Sequence, residues 1–151
     1  MAEVANYLAS IGEEVYLLTY EENNIFQRID SRIIHLVENT KTIPVFVMRR
    51  FIQVIKVRRI IKKNRPDIIV SFLTMANIIS ILASLGISIP VVISERGDPF
   101  AVKSWFVPIK NFIYKFADGY VFQTNGAKKY FSASIQKRSV IIPNPVIKKR
   151  S

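Results

Sequence analysis

The sequence predicts an α/β domain with a doubly wound, Rossmann-like parallel sheet and helices on both of its faces. Short apolar runs recur along the chain, and stretches with helical periodicity separate them. Strands that are apolar on both sides are typical of parallel sheets buried between helices. Hydrophobic residues make up 50% of the 151 residues, which is enough to form such a core.

Six strands and five helices are predicted in alternation. The predicted strands cover residues 14–20, 32–37, 67–72, 90–94, 119–122 and 139–142. The predicted helices cover residues 3–11, 45–64, 75–85, 104–116 and 126–131. Gly86 is expected to end the third of these helices. A doubly wound domain normally opens with a strand and a glycine-rich turn, whereas this chain opens inside a helix. We therefore expect a sheet that lacks its first strand.

The composition excludes several classes of protein. The chain has no cysteine, which excludes a disulfide scaffold, thiol catalysis and cysteine-ligated zinc. The single histidine, His35, is expected to be a structural strand residue, and neither a metal nor a cofactor is predicted. No apolar stretch reaches the roughly 18 residues of a membrane-spanning helix. The first residues lack the basic region of a signal peptide, so we expect a cytoplasmic location.

The net charge of +11 is concentrated in one region. Nine basic residues and no acidic residue lie between Lys41 and Arg65. Such a stripe attracts anionic lipids, nucleic acids or phosphorylated ligands. An apolar stripe in the first half of the same helix is predicted to face the core, and it comprises Val47, Met48, Phe51, Ile52 and Ile55. The side chains predicted to contact an anionic membrane are Arg49, Arg50, Lys56, Arg58, Arg59, Lys62 and Lys63. A solvated basic face is the alternative.

Ligands of doubly wound sheets bind beyond the carboxyl ends of the strands. The candidate substrate-binding residues at those ends are Ser71, Phe72, Asn77, Glu95, Arg96, Gln123 and Thr124. Each has a structural alternative. Asp98 and Pro99 fit the start of a helix, with Glu95 and Arg96 paired structurally, and Phe72 fits the core. Thr124 or Asn125 could cap the helix that follows, with Asn125 favoured for that role. No catalytic residue is identified.

Five segments appear in an order that resembles a known family. They are AEVANYLASIGEEVYLLT, RPDIIVSFLTMANI, PVVISERGDPF, FADGYVFQTNGAKKYF and SVIIPNPV. Together they resemble the N-terminal domain of family-4 glycosyltransferases, which have the GT-B fold. The similarity is to bacterial members that build cell-surface polysaccharides or lipid-linked glycans.

The resemblance implies a retaining hexosyltransferase that uses a nucleotide sugar and a glycan or lipid-linked acceptor. Residues 1–142 would be the acceptor-binding domain, truncated at its start, and residues 143–151 the beginning of the linker to the donor-binding domain. In the family that second domain holds the donor diphosphate, so we expect the isolated chain to be inactive. Lipid-linked acceptors imply a peripheral position on the inner face of the plasma membrane.

Two other functions stay open at this point. The basic run KVRRIIKKNR suggests a nucleic-acid-binding module, but aromatic residues are not interleaved with it and no RRM, KH or zinc-finger pattern is found. We therefore expect no nucleic-acid partner. The other alternative is a non-catalytic interaction module that keeps the ancestry of the family without its activity.

Overall fold

A computed structural model describes residues 1–20, 28–40, 45–96 and 105–143. In these ranges helices alternate with parallel strands, so the predicted α/β class is confirmed. The chain divides into two compact units, Met1–Lys56 and Val57–Ser151. The long helix that was predicted from residue 45 runs from Phe46 to Asn64 and therefore belongs to both units.

The first unit contains a pair of parallel strands with one helix packed on them. Its elements are α1 (Ala2–Ser10), β1 (Tyr16–Thr19), β2 (Ile34–Val37) and the first half of α2 (Phe46–Asn64). Its small core consists of Ala5, Ala9, Leu17 and Ile33. The side chain of His35 on β2 forms a 2.9 Å hydrogen bond between its Nε2 and Oγ1 of Thr19 on β1. This contact confirms the structural role predicted for the histidine.

The second unit contains a four-stranded parallel sheet in the order β3-β4-β5-β6. Its elements are β3 (Ile69–Phe72), α3 (Thr74–Ser84), β4 (Val91–Glu95), α4 (Val107–Tyr114), β5 (Gly119–Phe122), α5 (Asn125–Lys129), α6 (Ala133–Lys137) and β6 (Ser139–Ile141). The core brings α3 and α4 together with the central strands, and it includes Ile78, Ile81, Ile93, Tyr114, Phe122 and Phe131. This unit carries all of the predicted substrate-binding residues.

The described strands form two parallel sheets where the sequence suggested one. The first unit holds the pair β1-β2, and the second unit holds the sheet β3-β4-β5-β6. Among the described strands, β3 is consequently an edge strand.

The end of the chain differs from the prediction in two details. The helix predicted at 126–131 is a short α5, and a second short helix, α6, follows it and was not predicted. The cap of α5 is Thr124 and not the favoured Asn125, because Oγ1 of Thr124 accepts a 3.1 Å hydrogen bond from the backbone N–H of Ala127. Gly86 follows α3 with φ of +72°, as predicted for a glycine at a helix end.

The prediction that the apolar stripe of α2 faces the core is wrong. Val47 and Phe51 are 74% and 65% exposed, and Met48 is exposed as well. The buried face is instead formed by Gln53, Val57 and Ile61, which are spaced four residues apart. Gln53 tolerates burial because its amide nitrogen donates a 2.7 Å hydrogen bond to Oγ1 of Thr40.

Several basic side chains of α2 have partners within the protein. Lys56 forms a 2.7 Å ion pair with Glu38, and a guanidinium nitrogen of Arg50 donates to the side chain of Gln53. Arg58 donates to the carbonyl oxygens of Ala83 and Leu85 at the end of α3.

The other basic side chains of α2 differ from one another in exposure. The Nε of Arg49 is buried without a hydrogen-bond partner in the described ranges. Arg59, Lys62 and Lys63 are exposed and form no ion pair with the described residues. These three side chains are therefore the ones available to an external anion. No helix in the described part of the chain has the length and apolarity needed to span a bilayer.

Candidate functional site

The carboxyl ends of β3, β4 and β5 lie side by side at one edge of the four-stranded sheet. Phe72 at the end of β3 is in register with Ser94 on β4, and Glu95 is in register with Phe122 at the end of β5. The residues that follow these strands are therefore neighbours, as the sequence predicted from the parallel topology.

Arg96 is the exposed cation of this edge. Its guanidinium lies over the ring of Phe72, 5.1 Å from the ring centroid, a distance typical of a cation–π contact. It forms no ion pair with an acidic residue in the described ranges. The stacked guanidinium keeps its planar set of N–H donors, which suits phosphate and carboxylate oxygens. Phe72 thus holds Arg96 in place.

Three of the other predicted residues are buried below this edge. Asn77 is fully buried, and its Oδ1 accepts a 2.8 Å hydrogen bond from the hydroxyl of Ser71. Its amide nitrogen donates to the carbonyl oxygen of Ser94 and to the Tyr114 hydroxyl, both at 3.2 Å. The carboxylate of Glu95 is buried and accepts hydrogen bonds from the hydroxyl groups of Tyr114 and Thr74. The network therefore ties β3, α3, β4 and α4 together directly behind Arg96.

Tyr114, which belongs to this network, and Lys110, whose Nζ lies near the ring of Tyr114, were not singled out in the sequence. Burial raises the pKa of Tyr114 well above its ordinary value, and the charge of Glu95 adds to the effect. Lys110 is fully buried, and its Nζ lies 5.2–5.7 Å from the ring centroids of Tyr114, Tyr130 and Phe131. Burial lowers the pKa of Lys110, and the charge of Glu95 opposes that shift.

A signal for Tyr114 was present in the sequence. Lys110, Tyr114 and Ala117 recur at the spacing of one helical face, and all three are fully buried. A lysine on that face argues against its burial, because lysines are rarely buried without a partner. The rings around Lys110 supply the favourable environment that the linear sequence does not show.

The remaining predicted residues lie at the end of β5. Thr124 is exposed but uses its hydroxyl oxygen to cap α5. Gln123 is half-buried and follows Phe122, the residue in register with Glu95. Asp98 and Pro99 lie outside the described residues. The described part of the chain contains no group of three His, Asp or Glu side chains that could hold a metal ion.

The sequence profile of glycosyltransferase family 4 matches residues 1–150. The chain belongs to glycosyltransferase family 4. The predicted family is therefore confirmed. Within that family the chain corresponds to the N-terminal domain, and its Rossmann-like architecture fits one half of the GT-B fold.

A curated relative and a solved structure are similar to this family-4 chain. The relative is the GalNAc-α-(1→4)-GalNAc-α-(1→3)-diNAcBac-PP-undecaprenol α-1,4-N-acetyl-D-galactosaminyltransferase of Campylobacter jejuni, with 23% identity over 150 residues. The match covers 96% of this chain but 41% of that relative. The solved structure is UDP-N-acetylglucosamine 2-epimerase from Rickettsia bellii, with a TM-score of 0.56 and 14% identity over 82% of this chain and 36% of that one. This second likeness concerns the fold alone.

Proposed function

We propose that this chain forms the acceptor side of the active-site cleft in a retaining glycosyltransferase. The enzyme transfers a hexosyl-type sugar from a nucleotide-sugar donor to a glycan or lipid-linked acceptor. The observation that carries this proposal is the exposed guanidinium of Arg96, stacked on Phe72 at the carboxyl ends of the parallel strands. The relative in Campylobacter, whose name includes a diphosphate-linked polyprenol, supports a lipid-linked acceptor.

Each side chain of the edge has a distinct task in this proposal. Arg96 binds a phosphate or several hydroxyl groups of the acceptor, because its guanidinium is exposed and lies over the ring of Phe72. Gln123 supplies an amide to acceptor hydroxyls from the neighbouring strand. Glu95, Asn77 and Ser71 are buried and stabilise the ends of the strands from the interior. Their hydrogen bonds connect β3 with α3 and β4 with α4.

Glycosyl transfer is tested with an active polypeptide that carries this chain together with a donor-binding domain. It is incubated with a panel of nucleotide sugars and a polyprenyl-diphosphate-linked glycan, and the product is analysed by NMR. We expect one donor to be used with retention of its anomeric configuration. We expect no turnover by the 151-residue chain alone, because the family resemblance places the donor-diphosphate groups in the other domain. Inversion, or turnover by this chain alone, would contradict the proposal.

We also propose that α2 docks the enzyme on the anionic inner face of the plasma membrane. Arg59, Lys62 and Lys63 are exposed on this helix, in a stretch of sequence without any acidic residue. The exposed Val47 and Phe51 precede them on the same helix, so apolar and basic side chains follow each other along it. This combination is typical of helices that lie in a membrane interface.

Replacing Arg59, Lys62 and Lys63 by glutamine should weaken binding to anionic vesicles on the order of 100-fold. Each cation near such a surface contributes about 1 kcal/mol, which salt screens. Arg58 stays unchanged because it bonds the end of α3. The control replaces Lys128, Lys129 and Lys137 by glutamine, which removes the same number of charges. This variant should bind the vesicles as tightly as the parent. The measurement is vesicle co-sedimentation with DNA as competitor. If DNA displaces the vesicles, a nucleic-acid module is the better interpretation.

A further inference from the structure

A second exposed apolar surface lies on α4. Trp105, Ile109, Phe112 and Phe116 are 66%, 47%, 61% and 52% exposed. Their spacing of four, three and four residues places them on one face of α4 and its flanking turns. The opposite face carries Lys110 and Tyr114, which are fully buried. This set of four exposed side chains is called the α4 stripe below.

The composition and charge of the α4 stripe favour a lipid partner. Trp105 and Phe112 are of the residue types that membrane interfaces favour, tryptophan above all. Residues 99–117 contain no acidic residue. Lys115, which precedes Phe116 of the stripe, is an exposed cation. The acid that follows, Asp118, is engaged in a 2.8 Å hydrogen bond with the backbone N–H of Val91.

The size of the stripe argues against a second copy of the chain as its partner. At a rise of 1.5 Å per residue the stripe is about 17 Å long, and a helix is about 10 Å wide. A stable protein interface buries roughly 800 Å² on each partner, several times the area of such a footprint. A bilayer needs no matching surface of that size, because a few aromatic side chains are enough to enter its interface.

We propose that the α4 stripe inserts into the interface of an anionic lipid bilayer, with Trp105 and the two phenylalanines as its anchors. This inference adds a membrane-inserting element that is independent of the identity of the acceptor. Insertion through α4 is apolar, and it therefore persists at salt concentrations that abolish the electrostatic attraction of α2.

The test uses the intrinsic fluorescence of Trp105, the only tryptophan in the chain. Vesicles of mixed phosphatidylglycerol and phosphatidylcholine are added to the 151-residue chain at low and high salt. We expect a blue shift of the emission at both salt concentrations and quenching by lipids brominated near the top of the acyl chain. The variant Phe112→Gln/Phe116→Gln should bind the vesicles about tenfold more weakly, because two exposed rings that enter the interface are lost.

The matched control is Val140→Gln/Ile142→Gln, which removes two apolar side chains that are 56% and 57% exposed elsewhere in the same unit. It should bind vesicles like the parent. The inference is overturned if vesicles bind without changing the emission of Trp105, or if the two double variants bind equally well. It is also overturned if sedimentation without lipid shows a dimer that depends on Phe112 and Phe116. Any of these results leaves the glycosyl-transfer proposal intact, because that proposal is tested by product formation.

Discussion

Arg96→Gln should lower kcat/KM for the acceptor about 100-fold in the active polypeptide that includes a donor-binding domain. The substitution removes a charge-assisted hydrogen bond, which typically contributes about 1.5–3 kcal/mol when its partner is anionic. The loss should be largest for acceptors that carry a diphosphate and small for neutral glycans. The KM for the nucleotide sugar should stay unchanged, because the proposed contact lies on the acceptor side of the cleft.

Two comparisons separate this role from a structural one. Arg96→Lys keeps the charge but loses the planar group that stacks 5.1 Å from the centroid of Phe72, so we expect an intermediate loss. Arg59→Gln removes an equally charged, exposed side chain from α2 and should leave soluble-acceptor kinetics unchanged. The melting temperature of Arg96→Gln should match that of the parent, since exposed substitutions seldom alter stability. Unchanged acceptor kinetics would remove Arg96 from the site.

Asn77→Leu should lower the free energy of unfolding by about 2–4 kcal/mol. Asn77 is fully buried and bonds the hydroxyls of Ser71 and Tyr114 and the carbonyl oxygen of Ser94. A leucine has a similar volume but leaves these polar groups without their partner in the core. Such groups each carry a desolvation cost that the native hydrogen bonds offset. Denaturant titration followed by circular dichroism measures the change.

Asn111→Leu is the matched control for this prediction. The side-chain oxygen of Asn111 is also buried, yet it has no hydrogen-bond partner within the described residues. Because that oxygen has no described hydrogen bond to lose, Asn111→Leu should leave the free energy of unfolding unchanged or raise it slightly. Equal destabilisation by the two leucines would show that shape, and not the hydrogen-bond network behind Arg96, determines the effect.

The order of the secondary structure could be predicted from local patterns alone. The strand at residues 119–122 has the predicted bounds, and the other strands differ by a few residues at their ends. Apolar runs bounded by turn residues specify such strands locally, whereas end residues depend on hydrogen bonds to neighbouring strands. The short helix α6 was missed because five residues are too few for a helical periodicity to appear.

The candidate site could be predicted in position but not in detail. Parallel topology alone places Phe72, Arg96 and Gln123 at one edge of the sheet. Which of the neighbouring polar residues point outward depends on partners that are far apart in the sequence. Glu95 was a candidate ligand contact with a structural alternative, and its buried carboxylate accepts a hydrogen bond from Tyr114, nineteen residues later.

The sequence by itself determined the α/β class, the order of the elements, the basic segment and the family. These properties depend on residue types and on spacings of a few residues, which can be read directly from the sequence. Only the tertiary structure decided which face of α2 is buried, that Lys110 lies among three aromatic rings, and that the α4 stripe is exposed. Periodicity shows that a helix has two faces, but the choice between them depends on the free energy of packing against residues distant in the chain. On α2 the buried Gln53 donates a hydrogen bond to Thr40, a partner that the periodicity of the helix does not reveal.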